Sequence, residues 1–234
     1  MREVFHQSLE EVQSRLVEIA ELVTVAIDKA TRAFGTSDVA LAEEVIAGDA
    51  LIDEKSLALD ELAVEILAMQ QPVARDLRIV VAALRTSASL ERMGDLAEHI
   101  AQLARMRYPE RAIPKGFKST FEQMGARDVE VARQLTELLR TQDIAIAAAI
   151  RDADDEIDEL HASVFEKVLG AQTAADTAAV VDATLASRYH ERFADHAVGV
   201  AKKMVYLATG DWSGSGDLAA GDWSDGGEQQ QPGA

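Results

Sequence analysis

The 234-residue sequence predicts an all-α protein built from two tandem, homologous three-helix bundles of long antiparallel helices. Three observations carry that prediction. Apolar residues recur in a four-three rhythm along most of the chain. Pro72, Pro109 and Pro114 all fall between the rhythmic stretches. The second half repeats the first, acidic positions included.

In the first helix, Phe5, Leu9, Val12, Leu16, Ile19, Val23, Ala26 and Ala30 alternate by steps of four and three, a sustained heptad seam. Gly35 ends it, and Thr36, Ser37 and Asp38 are N-cap candidates for a second helix. That helix runs to about Met69, with Val45, Ile52, Leu59, Leu62, Ile66 and Met69 on one stripe. Gln70 and Gln71 lead into Pro72, predicted in the first turn of a third helix because its missing N–H is harmless there. The third helix continues to about Tyr108, where Pro109 and Pro114 break it. The rhythm then predicts helices near 117–140, 143–170 and 175–208. At 1.5 Å per residue the long helices reach about 45–55 Å, so the bundle is expected to be rod-like.

The duplication can be followed residue by residue. Thr36–Glu54 aligns with Thr141–Glu159, with Asp38/Asp143, Asp49/Asp154, Ile52/Ile157, Asp53/Asp158 and Glu54/Glu159 identical. Asp76–Ala101 aligns with Asp176–Ala201 and keeps Glu91/Glu191, Arg92/Arg192 and Asp95/Asp195. A shared heptad matches apolar positions; it does not match acidic ones. The units are therefore expected at 1–110 and 111–209. From Gly210 the composition turns to Gly, Ser, Asp and Gln, and Gly210-Asp211-Trp212-Ser213 recurs as Gly221-Asp222-Trp223-Ser224. Residues 210–234 are predicted to be a disordered acidic tail.

Composition excludes several function classes. With no cysteine, disulfides and thiolate metal sites are impossible. A net charge of −18 argues against direct nucleic-acid binding and suits cations or basic protein surfaces as partners. The first residues carry no apolar secretion segment, and no apolar run is long enough to span a bilayer, so neither membrane insertion nor export is expected. The expected location is the cytoplasm.

Four acidic pairs occupy matched places: Asp49/Asp53 and Glu91/Asp95, then Asp154/Asp158 and Glu191/Asp195. Each pair is spaced i,i+4, so both carboxylates share one helix face, where like charges repel unless a cation lies between them. In an antiparallel hairpin, residues whose numbers share a constant sum lie level. Asp49 with Asp95 and Asp53 with Glu91 share such a sum, centred on Pro72. Asp154 with Asp195 and Asp158 with Glu191 share another, centred between Ala174 and Ala175. Each hairpin can thus bring four carboxylates to one height. In the first copy Leu77, Val81, Leu84 and Ala88 lead in the apolar rhythm straight into Glu91 and Asp95, and charge on an apolar stripe needs a partner. Two readings follow: a solvated face paired with Arg92, Arg192, Arg188 or Lys55, or an oxygen-only site for a hard or borderline cation such as magnesium, manganese, calcium or iron.

A ferritin-like di-iron oxidase requires paired Glu-x-x-His motifs. Glu3-x-x-His6 and Asp158-x-x-His161 do not pair by register. His99, four residues after Asp95, is an extra-ligand candidate in the first copy only, since Gly199 replaces it in the second. No nucleophile elbow, P-loop or dinucleotide fingerprint occurs, so no catalytic residue is assigned and an enzyme is not expected.

Gln71-Pro72-Val73-Ala74-Arg75-Asp76-Leu77-Arg78 opening a helix, and Glu91-Arg92-Met93-Gly94-Asp95 echoed by Glu191-Arg192-Phe193-Ala194-Asp195, resemble the PhoU family of bacterial phosphate-transport accessory proteins. The resemblance covers about residues 1–209. It implies two three-helix bundles whose acidic motifs hold metal, iron or zinc often, with manganese and magnesium also compatible. The implied ligands are Asp49, Asp53, Glu91 and Asp95, then Asp154, Asp158, Glu191 and Asp195. It implies a cytoplasmic, non-enzymatic negative regulator that links the ATPase subunit of a phosphate ABC transporter to a sensor histidine kinase when phosphate is plentiful. A homodimer is expected, and Asp76, Leu77 and Arg78 become a candidate partner contact, with helix capping as the equal alternative. The other readings are an accessory subunit of another phosphate or ion transporter, and a carboxylate-bridged metalloenzyme. Gly94 becoming Ala194 puts equal metal occupancy of the two copies in question.

Overall fold

The computed structural model describes residues 2–170 and 177–210. Six helices follow one another: α1 (Arg2–Thr36), α2 (Val39–Gln70), α3 (Arg75–Arg107), α4 (Lys118–Thr141), α5 (Ile146–Gly170) and α6 (Thr177–Thr209). Among the described residues there is no strand. Helices α1–α3 pack on one another, as do α4–α6, and the two bundles lie side by side through α1 against α4 and α3 against α6. One apolar core runs through both units.

The seam of α1 explains how this happens. Val12, Leu16, Ile19 and Val23 are buried as the heptad predicts, but the next core residue is Ile27 rather than Ala26. A straight helix turns every 3.6 residues, so a strict seven-residue pattern drifts around it. The drift carries Ala33 and Phe34 into the core beside α4, where Phe34 meets Phe121 edge-on at 5.3 Å. Such a pair contributes about 0.5–1.5 kcal/mol beyond its burial. Gly125 of α4 allows the approach: a Cβ there would lie 2.9 Å from the Thr31 Cβ. At the other contact, Arg107 of α3 grips both carboxylate oxygens of the nearly buried Asp182 of α6.

Helix boundaries follow local chemistry. Asp38 caps α2, its Oδ1 accepting the Leu41 N–H at 3.0 Å. On the α2 stripe Val45, Ile52, Leu59 and Ile66 are buried, whereas Met69 is 75% exposed and Ala63 takes a core place instead. Pro72 precedes α3 rather than opening it. The reversal uses positive-φ residues, Gln71 in the left-handed conformation (φ 46°) and Ala74 (φ 50°), and a residue before proline is driven out of the helical region. The turn therefore consumes residues 71–74, and α3 starts at Arg75. Likewise α5 begins at Ile146, not 143, because the Asp143 carboxylate accepts the Ala145 N–H in a side-chain-closed turn. The expected second hairpin centre between Ala174 and Ala175 and the acidic segment after Gly210 lie outside the described residues.

Candidate metal centre

Pairing α2 with α3 brings three of the four predicted acids of the first unit together and leaves Glu91 outside the close group. Asp49, Asp53 and Asp95 each offer one oxygen, and the three oxygens lie within 4.8 Å of one another. Asp49 and Asp95 are half-buried and Asp53 is exposed. Glu91, one turn before Asp95, is also half-buried. Two unit charges at about 4 Å repel by about 1 kcal/mol in water and about 4 kcal/mol near a protein surface. Three ionised carboxylates at this spacing therefore need either protons or a cation.

Protonation equilibria register that strain. Burial first, then the charges of Asp53, Glu98, Asp95 and Glu91, push the Asp49 carboxyl up to about 7. Burial and the Asp95 charge raise Glu91, against a lowering by Arg92. Among the described residues Arg92 is the one cation paired with this group, at 2.6 Å from Asp95 and 3.5 Å from Glu91, and it stands largely in solvent.

Gly94 sets the spacing between the helices. A Cβ at this position would sit 2.9 Å from Asp49 Oδ1 and 3.1–3.2 Å from the Ile52 side chain. The missing side chain is the room that the Asp49 carboxylate occupies.

The second unit is looser. Burial first, then Asp158 and Asp195, raise the Asp154 carboxyl to about 7, and burial raises Asp158 and Glu191 as well. Oδ1 of Asp154 and Oε2 of Glu191 are buried without a hydrogen-bond partner. Among the described residues, however, no three acids here bring an oxygen each within 4.8 Å. Three differences accompany this. Ala194 stands where Gly94 leaves room. Arg188, at the place of Ala88, binds Glu191 directly, and Lys202 lies close enough to Asp154 and Asp195 to feel both charges.

Several neighbours escaped the sequence reading. Glu98 and Asp60 add charge to the first cluster, through Asp49 and Glu91 respectively. Both sit seven residues beyond a predicted ligand (Glu91 and Asp53), so the same heptad step could have found them. Burial raises Asp60, and a Ser87 hydrogen bond opposes the rise. Asp155 contributes to the second cluster. The largest omission is a fully buried pair, Asp128 of α4 and His190 of α6, with Oδ2 and Nδ1 2.5 Å apart. Burial drives Asp128 up to about 6, with the His190 contacts pulling it down.

His99 does not join the carboxylate trio. Its ring lies on Tyr189 at 5.1 Å across the α3–α6 contact, and His161 packs edge-on against Phe165 at 5.0 Å. Asp76 stands in the first turn of α3, where a negative charge favours the helix dipole, but it caps nothing: the N-cap is Ala74, without a side-chain bond. Leu77 is 40% exposed and the Arg78 guanidinium lies 6.0 Å above the Tyr206 ring.

Comparison with known proteins agrees with this architecture. The family model described as the PhoU domain matches the chain twice, over residues 16–104 and 121–204. The chain belongs to the PhoU family. It is 41% identical to phosphate-specific transport system accessory protein PhoU homolog 2 of Mycobacterium tuberculosis, over 90% of this chain and 99% of that one. It is 40% identical to PhoU homolog 1 of Mycobacterium leprae, over 91% and 96%. The crystal structure of PhoU from Pseudomonas aeruginosa superposes with a TM-score of 0.83 at 26% identity, covering 88% of this chain and all of that one. Proteins of this family are accessory proteins of phosphate-specific transport, not enzymes. No described helix is long and apolar enough to cross a membrane.

Proposed function

We propose that this PhoU-family chain is a cytoplasmic repressor of the phosphate response. It links the ATPase subunit of a phosphate ABC transporter to a sensor histidine kinase and holds the kinase inactive while phosphate is abundant. The supporting observation is identity of about 40% with phosphate-specific transport system accessory proteins across nearly the whole chain. The partner-facing surface on this reading includes Leu77 and Arg78 at the start of α3, with Asp76 beside them. A homodimer would cover the outer face of α2, where Leu57 is 62% and Val64 59% exposed.

Deletion of the gene should raise alkaline phosphatase activity in cells grown in abundant phosphate, and the intact gene should restore low activity. Normal activity in the deletion strain, with no second family copy in the genome, would overturn the repressor role. An accessory subunit of a different transporter would then be the better reading.

The acidic clusters are part of the proposal. In the first unit Asp49, Asp53 and Asp95 would hold a divalent or multinuclear metal, with Glu91 completing the set. In the second, Asp154, Asp158, Glu191 and Asp195 would do so more weakly. The fit rests on the all-oxygen donors, the mutual repulsion, and the buried unpartnered oxygens of Asp154 and Glu191. Bound metal would supply the positive charge these groups lack. Asp95→Asn with Asp195→Asn is expected to lower bound iron, zinc or manganese, measured by elemental analysis, without loss of helicity. Unchanged metal content in the folded variant would sink the ligand assignment.

A further inference from the structure

The α3–α6 contact carries a cavity that the metal reading does not use and that overlaps the proposed partner surface only at Leu77 and Arg78. Leu77, Val81 and Tyr206 form the floor of a cavity of about 280 Å³, ringed by Arg78, Arg85 and Lys203. Leu77 is 40% and Val81 36% exposed. Among the described residues, none of the ion pairs involves Arg78, Arg85 or Lys203. Among the described residues the hydrogen-bond partner of Lys203 is a hydroxyl, Ser89 Oγ at 3.2 Å, and Lys203 lies near enough to Arg85 for the two cations to repel. In a chain with 41 acidic and 23 basic residues, three clustered cations without a carboxylate form an unsatisfied positive site. An apolar floor within such a ring fits a ligand that combines an aromatic ring with flanking carboxylates.

The chain carries that ligand. Residues 210–234 contain Asp211, Asp217, Asp222, Asp225 and Glu228 and no Lys, Arg or His. They also hold both tryptophans, Trp212 and Trp223, each directly after an aspartate. Helix α6 ends at Thr209, one turn beyond Tyr206, so the segment leaves the fold at the rim of the cavity. Trp212 is only three residues past the helix end, too few for an easy reversal. Trp223 is fourteen past it, and a Gly/Ser-rich stretch of that length spans on the order of 20 Å. The cationic ring extends over about 10 Å, the rise from Arg78 to Arg85. At that tether length the local concentration of the segment is in the millimolar range.

We propose that the Asp222-Trp223-Ser224-Asp225 segment docks intramolecularly on this cavity. The indole covers Leu77, Val81 and Tyr206, and the carboxylates face Arg78, Arg85 and Lys203. The docked segment covers Leu77 and Arg78, so a partner needing that surface must first displace it. The docking itself stands whether or not the adaptor reading does.

Tryptophan emission reads this contact without a label, because both tryptophans lie in the segment. In a Trp212→Phe background only Trp223 emits. Its emission should be blue-shifted relative to the synthetic peptide 210–234 carrying the same Trp212→Phe substitution, and independent of protein concentration. It should return to the peptide value in about 1 M salt, where screening extends only about 3 Å. Arg85→Glu and, separately, Arg78→Glu should abolish the shift, with far-ultraviolet circular dichroism confirming intact helices. Emission equal to that of the free peptide in the intact protein would overturn the proposal. So would a blue shift that survives both charge reversals, since the segment would then dock elsewhere. A shift that grows with protein concentration would transfer the contact to a second copy and overturn the intramolecular form.

Discussion

Gly94→Ala isolates the geometry of the first acidic cluster in a single methyl group. The new Cβ would lie 2.9 Å from Asp49 Oδ1, 3.1 Å from Ile52 Cδ1 and 3.2 Å from Ile52 Cγ2. Two opposed effects decide the stability. Alanine in a helix interior is favoured over glycine by about 1 kcal/mol. Overpacking a close helix contact costs about 1–3 kcal/mol. Ile52 is 2% exposed and has little room to yield, so net destabilisation between roughly zero and 2 kcal/mol is expected. At about 2–4 °C per kcal/mol for a chain of this size, the melting temperature should fall by no more than about 8 °C.

The effect on the site should be larger than the effect on the fold. Asp49 Oδ1 is the atom displaced, and moving it breaks the arrangement in which three carboxylate oxygens lie within 4.8 Å. Metal affinity at the first site should fall at least about tenfold, the lower end of what loss of a supporting residue costs a metal site. Isothermal titration with Mn²⁺ or Zn²⁺, beside thermal melts of the metal-free forms, gives both numbers. Ala194→Gly is the control and should leave the first-site affinity unchanged. Unchanged affinity in Gly94→Ala would refute the claim that the missing side chain makes room for the ligand. A fall in affinity matched by wholesale loss of helicity would also refute it, because the damage would then be to the fold.

Two further outcomes test the electrostatics. Asp49 and Asp154 are held near 7 in the folded chain against 3.8 when unfolded. A raised carboxyl contributes stability fully below about 3.8, and that contribution is lost as pH climbs to about 7. Metal-free protein in chelator should therefore melt lower at pH 8 than at pH 5.5, and saturating Mn²⁺ should remove most of the difference. A chelated protein that gains stability over this range would contradict the strained cluster. Asp128→Ala leaves His190 buried at 0% exposure beside an empty site, a change that typically costs 3–5 kcal/mol. Urea denaturation should show it, and a loss below about 1 kcal/mol would mean the pair is no more than an average hydrogen bond.

The sequence made legible whatever repeats at a fixed step. Helix order, the first hairpin turn and the level of Asp49, Asp53, Glu91 and Asp95 all follow from periodicity and antiparallel register. Harder to read was any feature that depends on a third helix. Ile27, Ala33 and Phe34 are buried because α4 lies against α1, and no heptad on α1 alone announces α4. Asp128 and His190 belong to different helices, share no motif and are 62 residues apart, so only the fold shows that each is the other's counter-group. The start of α3 failed for a local reason: Pro72 is compatible with a first helical turn, but Gln71 and Ala74, both at positive φ, need the same residues for the reversal.

The two acidic clusters descend from one pattern and differ in how their charge is offset. In the first, Gly94 brings the oxygens together, Glu98 and Asp60 add negative charge, and the attached cation is the solvent-facing Arg92. In the second, Ala194 fills the gap, Val198 and Phe165 replace the added acids, and Arg188 and Lys202 stand close by. Among the described residues the close approach of three oxygens that favours a metal occurs in the first unit, while in the second Arg188 and Lys202 stand against carboxylates to which Asp155 adds its charge. The first site should therefore fill at lower metal concentration, and titration of the intact chain should give two unequal classes. Substituting Arg188→Ala should bring them closer together. Two equal sites before that substitution would mean that Arg188 and Ala194 do not govern occupancy.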